Sequence, residues 1–368
     1  MLKTLQNAFK VKDVRHRLFY VLMMLVVIRI GSQLPVPGVD GSYFKTWFES
    51  QTGDAFNFLD AFTGGSFSQM SIFALSITPY ITSSIIIQLL TIAIPKLEEM
   101  QRDGEDGRKK LGAITRYVTI GLSLFESIAM AIGFGNRGLI PDNNFVKIVV
   151  VVVALTAGSA FLMWVGEQIN EKGVGNGISI VLLINIVSRI PSDMTTLYES
   201  FMKGKIIAKA LLSGVIIAAI IIGVVILVII LNGAERRIPV QYSKKMQGRK
   251  MMGGQSSHIP LKVNTAGVIP VIFASSIMSF PSVIASFLGK TGGTGIGGKI
   301  LAGMNSNNWF DLDHPWYSIG LVAYIIMVIF FAYFYTSITF NPLEVADNMK
   351  KQGGFIPGIR PGKPTVDY

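Results

Sequence analysis

The chain has no cysteine, so neither a disulfide nor a thiolate-held metal is available to it, and its redox compartment is left open. Histidine is scarce as well. His16, His258 and His314 are scattered, and no His/Cys/Asp group falls at metal-ligand spacing. Only 15% of the 368 residues are charged while 50% are hydrophobic, with a mean hydropathy of +0.51. That balance leaves a water-soluble fold too little polar surface, so the chain needs lipid around it. The acids deepest in its apolar stretches are Glu126 and, near an end, Glu167. They are too few and too far apart for a carboxylate pair or proton chain, which argues against an intramembrane enzyme.

What the chain does have is apolar length. Because ~20 mostly apolar helical residues span a hydrocarbon core of ~30 Å, eight runs count as crossings, near 17–35, 72–94, 113–134, 145–166, 176–191, 206–232, 266–288 and 316–340. A transmembrane barrel would show short alternating strands instead. Each run is apolar over most of its circumference, as in Val149 to Leu155 and Ile216 to Leu231, so helices are expected. The first run follows the basic stretch Lys10 to Arg17 without a small-residue cleavage pattern, and it reads as a retained span rather than a removed signal peptide.

Basic residues orient the spans. With a cytoplasmic amino terminus, 23 of the 33 lysines and arginines fall in inside segments and nine outside, with Arg29 left within the first helix. That bias predicts a cytoplasmic location for both ends of the chain. Orientation alone explains an inside excess, but the segment from Glu235 to Lys262 is long for a connector and joins seven basic residues to Pro239, Gly248, Gly253 and Gly254. It suits a basic tip offered to a large partner.

Polar breaks interrupt the apolar pattern. Phe56 to Met70 is a half-length amphipathic stretch broken at Gly64 and Gly65. It is too short to span, so it either re-enters and plugs a cavity or lies at the interface as a helix. The following helix, expected over Ala74 to Leu90, mixes Ser76, Thr78, Thr82, Ser83, Ser84 and Gln88 with a row of isoleucines. Small hydroxyl residues usually signal close helix packing. The other reading is a wet face on which Ile81 and Ile85, one turn apart, form an apolar constriction.

Two glycine-rich stretches imitate nucleotide motifs. Gly293 to Lys299 nearly copies a phosphate-binding loop, but Ile300 stands where Ser or Thr is needed, leaving a flexible loop. In Gly173 to Ser179, Ile178 replaces the last glycine of a dinucleotide fingerprint. Its glycines fit a tight turn or hinge between helices. No cofactor is expected from either.

Five stretches together resemble the SecY family: ALSITPYITSSIIIQLL from Ala74, DGEDGRKK from Asp103, FLMWVGEQINEKGVGNGIS from Phe161, LKVNTAGVIPVIFASSI from Leu261 and NPLEVADNMKKQGGFIPGIRPGKPT from Asn341. The resemblance runs the length of the chain. It implies an all-α polytopic membrane protein, a translocation channel of two inverted pseudo-symmetric halves that opens sideways between helices 2b/3 and 7/8. The halves would be residues 1–192, with helices 1–5 and a plug at about 56–70, and residues 193–368, with helices 6–8 and cytoplasmic loops at 233–265 and 341–368. The family has ten spans and this chain ends at Tyr368, so the second half is expected to be incomplete.

The same resemblance assigns roles by position. An apolar pore ring would fall on Ile81, Ile85, Ile178, Leu182 and Ile272, and the plug on Asp60, Phe62, Gly64, Gly65 and Phe67. A lateral gate would involve Ser276, Phe280 and Ile284, and partner docking Arg249, Lys250 and Arg360. The implied partners are SecE and SecG subunits, the SecA motor ATPase, the ribosome with its rRNA, signal-bearing precursor polypeptides and membrane lipid. The implied location is a bacterial plasma membrane, and the chain itself would hydrolyse nothing. The competing function is an inverted-repeat secondary solute transporter, which would normally place charged or strongly polar ligand sites at mid-depth. This sequence offers chiefly aliphatics there.

Overall fold

A computed structural model of the chain describes residues 9–50, 60, 63–135, 138, 140, 144–203, 207–242, 245–247, 250–252, 256–287, 296–304, 309, 315–340 and 342–368. Two compact units emerge, Met1–Thr196 with Ser279–Gly320, and Leu197–Met278 with Leu321–Tyr368. All eight apolar runs carry a helix. Among the described residues five helices are long and apolar enough to cross a membrane, and a sixth counts if one bent pair is a single broken span.

The first unit opens with α1 (Lys12–Gln33), α2 (Gly41–Ser50), α3 (Thr78–Ala93) and α4 (Pro95–Arg102). Helix α3 starts four residues later than the sequence suggests, because Phe73–Ile77 forms turns and Pro79 sits in the first helical turn, where a missing N–H costs nothing. Helices α3 and α4 meet at a bend of 108°. The break is at Ile94, held extended (φ −113°, ψ 111°) by the proline that follows it.

Then come α5 (Glu105–Gly135), α6 (Phe145–Lys172) and α7 (Gly177–Phe201). Helix α5 turns a buried row of hydroxyls inward, Thr115, Thr119, Ser123 and Ser127, and each donates to a carbonyl three or four residues back. Ser127 also accepts from Thr156 of α6 at 3.1 Å. Satisfied on their own helix, these small side chains let α5 and α6 approach closely. The α6–α7 turn is tight. A Cβ on Gly177 would lie 1.9 Å from the Gly166 carbonyl oxygen, and the Asn176 carboxamide caps α7 by accepting from Ile178 and Ser179 N–H. The Gly173–Ser179 stretch is therefore a helix-to-helix turn.

The first unit has two apolar cores. One joins Val36, Phe44, Phe67, Met70 and Leu75 to Met130 and Phe134 of α5 and Val151 and Leu155 of α6. The other joins Met24 and Ile28 of α1 to Phe73, Ile77, Leu162, Val165, Ile169 and Val181. Helix α10 (Ile296–Met304) takes over from the phosphate-loop imitation, whose glycines up to Gly295 lie outside the described residues.

The second unit contains α8 (Ile207–Gly233), α9 (Ile269–Phe287, whose last turns belong to the first unit), α11 (Ser318–Thr339) and α12 (Pro342–Lys351). The long basic connector is not a plain loop. Strand β1 (Glu235–Tyr242) pairs antiparallel with β4 (Ser256–Lys262) along its length and with β5 (Gly354–Phe355) at Gln241 and Tyr242 only. Alternation buries Ile238 and Val240 of β1 against Met349 and Ile356. Pro239 cannot donate to a ladder and lies beyond the reach of β5, on the part of β1 with a neighbour on one side only. Strands β2 (Lys245–Gln247) and β3 (Lys250–Met252) form a separate hairpin, and α13 (Lys363–Asp367) ends the chain.

Candidate functional site

The half-length stretch before α3 is a non-helical segment packed inside the first unit. Residues 63–77 are almost all turns, and Thr63, Gly64, Ser66, Phe67, Met70, Ser71 and Phe73 to Ile77 are buried. Chain just after α1 clamps it: Val36 N donates to Met70 O (3.0 Å) and Ile72 N to Leu34 O (2.9 Å), closing a bridge between Pro35 and Ser71. Met70 (φ 45°) and Ser76 (φ 52°) hold left-handed backbone without being glycine, a strained state kept only where surroundings enforce it. Asn185 of α7 supplies part of that enforcement, its amide donating to Ser76 Oγ at 3.0 Å.

Aromatic rings close around one end. Phe67 stands edge-on to Phe44 (6.4 Å) and Phe134 (6.3 Å), and those two meet at 4.9 Å. Charge closes the other end. The Asp60 carboxylate, 5% exposed, receives Arg189 Nη1 at 2.5 Å and Ser68 N–H at 2.8 Å. The Gly64 carbonyl accepts from Arg29 Nη1 at 3.4 Å. Gly64 itself has φ +67°, and a Cβ there would stand 2.8 Å from Asn185 O, so only glycine lets the segment lie this close to α7.

The positions named from the sequence fall as follows. Ile81, Ile178 and Leu182 are half-buried at the margin of the core around Ile77 and Val181. Ile85, one turn further along α3, is half-buried too. Ile272 is buried on α9 in the second unit. Ser276 is half-buried on α9; Phe280 and Ile284 fall within the same helix, and their side chains lie outside the described residues. Asp60, Gly64, Gly65 and Phe67 lie in or next to the non-helical segment. Lys250 is paired with Gln247 in the β2–β3 hairpin. Arg360 is exposed before α13, its carbonyl accepting from Thr365 Oγ1. Phe62 and Arg249 lie outside the described residues.

Sequence reasoning missed the charges on the segment. By sequence Arg189 counts with the outside charges and Arg29 stands alone inside a helix, though a lone arginine in an apolar span calls for a partner. The hydroxyls of α3 divide between the two readings. Ser83 is buried and donates to its own Pro79 carbonyl (2.7 Å), as packing requires, while Thr82 and Ser84 stay half-buried. Among the described residues no group of three or more His, Asp or Glu is placed to hold a metal ion.

The family model described as SecY matches residues 71–368. A protein translocase subunit SecY from Halalkalibacterium halodurans is 44% identical over 373 aligned residues, covering 100% of this chain and 84% of that protein. The protein of the same name from Escherichia coli K12 is 43% identical and covers 97% of this chain and 79% of its own length. Among solved structures, a protein conducting channel aligns with a TM-score of 0.63 at 18% identity, over 96% of this chain and 80% of that one. Sec61 in a canine ribosome-channel complex from the endoplasmic reticulum aligns with a TM-score of 0.58 at 20% identity, over 94% and 77%. At those identities the structures speak to the fold.

Proposed function

The chain belongs to the SecY family, and on that premise we propose that it forms the pore of the bacterial Sec translocase, conducting unfolded secretory proteins across the plasma membrane and releasing membrane-protein helices sideways into it. One observation carries the reading: a non-helical segment is packed inside a unit of apolar helices, against Phe44 and Phe134 and held by Arg29, Asn185 and Arg189. Irregular backbone persists at membrane depth only where protein or a water-filled cavity covers it. The segment at 60–70 is then the plug.

Half-buried Ile81, Ile85, Ile178 and Leu182, with Ile272, supply an apolar ring that seals by dewetting and yields to a peptide without specific bonds. Ser276, Phe280 and Ile284 line the lateral gate, where an apolar signal sequence docks as a helix in a groove. Residues 1–192 and 193–368 are the two halves. The 23-to-nine split of basic residues supports cytoplasmic ends. The basic connectors with Arg249, Lys250 and Arg360 receive the SecA motor or the ribosome, arginine being able to grip RNA phosphate or carboxylate in bidentate fashion. SecE and SecG complete the complex, and the energy comes from the partners.

Reconstitution with a motor ATPase and a signal-bearing precursor tests the function. Protease-protected precursor is expected, and its absence with an active motor overturns the proposal. For the ring, Ile81→Asn with Ile272→Asn is expected to keep the constriction wet and raise resting conductance in planar bilayers. A double variant as tight as the parent removes both residues from the pore.

A further inference from the structure

We infer that Arg189 is a two-position charge latch on the non-helical segment: it grips Asp60 while the segment is seated and passes to Asp193 when the segment leaves. The inference rests on the channel reading above and adds to it how the seated state is held and released.

Asp60 is built into the segment as well as into the contact. Its backbone carbonyl accepts from Gly65 N–H and Thr63 Oγ1, both at 3.1 Å, and one carboxylate oxygen accepts from Ser68 N–H at 2.8 Å. The other carboxylate oxygen meets Arg189 Nη1 at 2.5 Å. The residue that folds the turn thus also ties it to α7, and the turn moves as one piece with its tether. Arg29 of α1 adds a longer bond to the Gly64 carbonyl. The segment therefore receives guanidinium groups from two different helices.

Arg189 is only 26% exposed and has a second acid in reach, since Nη2 lies 3.7 Å from Asp193 Oδ1. Asp193 follows one turn later on α7, so it stays beside Arg189 wherever the segment goes. A partly buried guanidinium stripped of its only counter-ion would resist release strongly. With Asp193 adjacent, release exchanges one ion pair for another. In the seated state Asp193 competes weakly with Asp60 for the same cation. A ligand or peptide then needs to shift the two populations only by the difference between the pairs.

Opposite signs distinguish this device from a merely structural salt bridge. The absence of native cysteine allows Ser66→Cys to be placed alone at a site that is 1% exposed. Its labelling by a membrane-impermeant maleimide is followed in native membranes. Asp60→Asn and Arg189→Gln are each expected to raise the rate about tenfold. The double variant is expected to be no faster than either single, because both remove one bond. Asp193→Asn, at an exposed position that does not threaten folding, is expected to lower the rate about threefold. Additive single effects, an Asp60→Asn variant that labels like the parent, or a faster Asp193→Asn variant each overturn the latch. Deletion of residues 63–69 separates this outcome from the parent reading. If deletion raises resting conductance while the labelling rates ignore Asp60 and Asp193, the latch alone fails. If conductance does not rise, the segment is no plug and both fail.

Discussion

The non-helical segment at 63–77 and helix α8 are opposite solutions to life in a membrane protein. The segment satisfies its backbone with borrowed partners, Leu34 O, Val36 N–H and Arg29 Nη1, and its polar side chains with Asn185 and Arg189. Helix α8 closes its own backbone bonds along its span, with Asn264 donating to Asn232 Oδ1 near its end. No residue in its spanning window is buried, and Leu211, Ile220 to Ile222 and Val224 to Leu231 are all exposed. A helix closes its own hydrogen bonds and needs only lipid on its apolar surface, whereas irregular backbone without water must be covered by protein. The difference teaches where sequence change should matter. Side chains that seat the segment are matched to named neighbours, and those on α8 are matched to a solvent.

The strongest challenge to that contrast is at the aromatic end of the segment. Phe134→Ala opens a cavity beneath Phe44 and Phe67 and is expected to cost ~3–5 kcal/mol, read as thermal unfolding in detergent. A loss below about 1 kcal/mol, the scale of an ordinary substitution, would mean that the rings do not hold the segment. Next comes Gly64→Val. It forces a side chain into left-handed backbone and against Asn185 O, with ~1–3 kcal/mol of strain expected to fall on the seated state. A cysteine at position 66 should then label faster from outside, and unchanged labelling refutes the close approach to α7.

Smaller effects sharpen the same comparison. Asn185→Ala removes the bond to Ser76 Oγ and is expected to cost ~1 kcal/mol, visible as a lowered unfolding midpoint. Arg360→Glu, on an exposed turn of the second unit, should change stability by less than ~1 kcal/mol. It should nevertheless weaken partner binding, most at low salt. Binding of both motor and ribosome at parental strength would exclude Arg360 from docking. The smallest effect belongs to α8. Ile221→Leu should stay within about 0.5 kcal/mol of the parent, and a larger loss would reveal a protein neighbour on that face.

The apolar runs, their helical character and the family were legible in the residues because hydropathy over ~20 positions is a local property that no distant contact can reverse. Motif order along the chain is local in the same sense. The start of α3 was not legible: Phe73–Ile77 is as apolar as the helix it precedes, and its turns follow a stretch clamped at Met70 and Ile72 by Val36 and Leu34 and are held at Ser76 by Asn185, all remote in sequence. The sheet hidden in the basic connector left a faint signal, the alternation of Ile238 and Val240 with Arg237 and Pro239, yet its third strand comes from beyond residue 353. Arg29, Asp60 and Arg189 were visible as charges near or within apolar runs. Which carboxylate meets which guanidinium depends on how α1 and α7 flank the segment, and only tertiary packing decides that, because an ion pair is defined by distance in space and its strength by the burial that packing imposes.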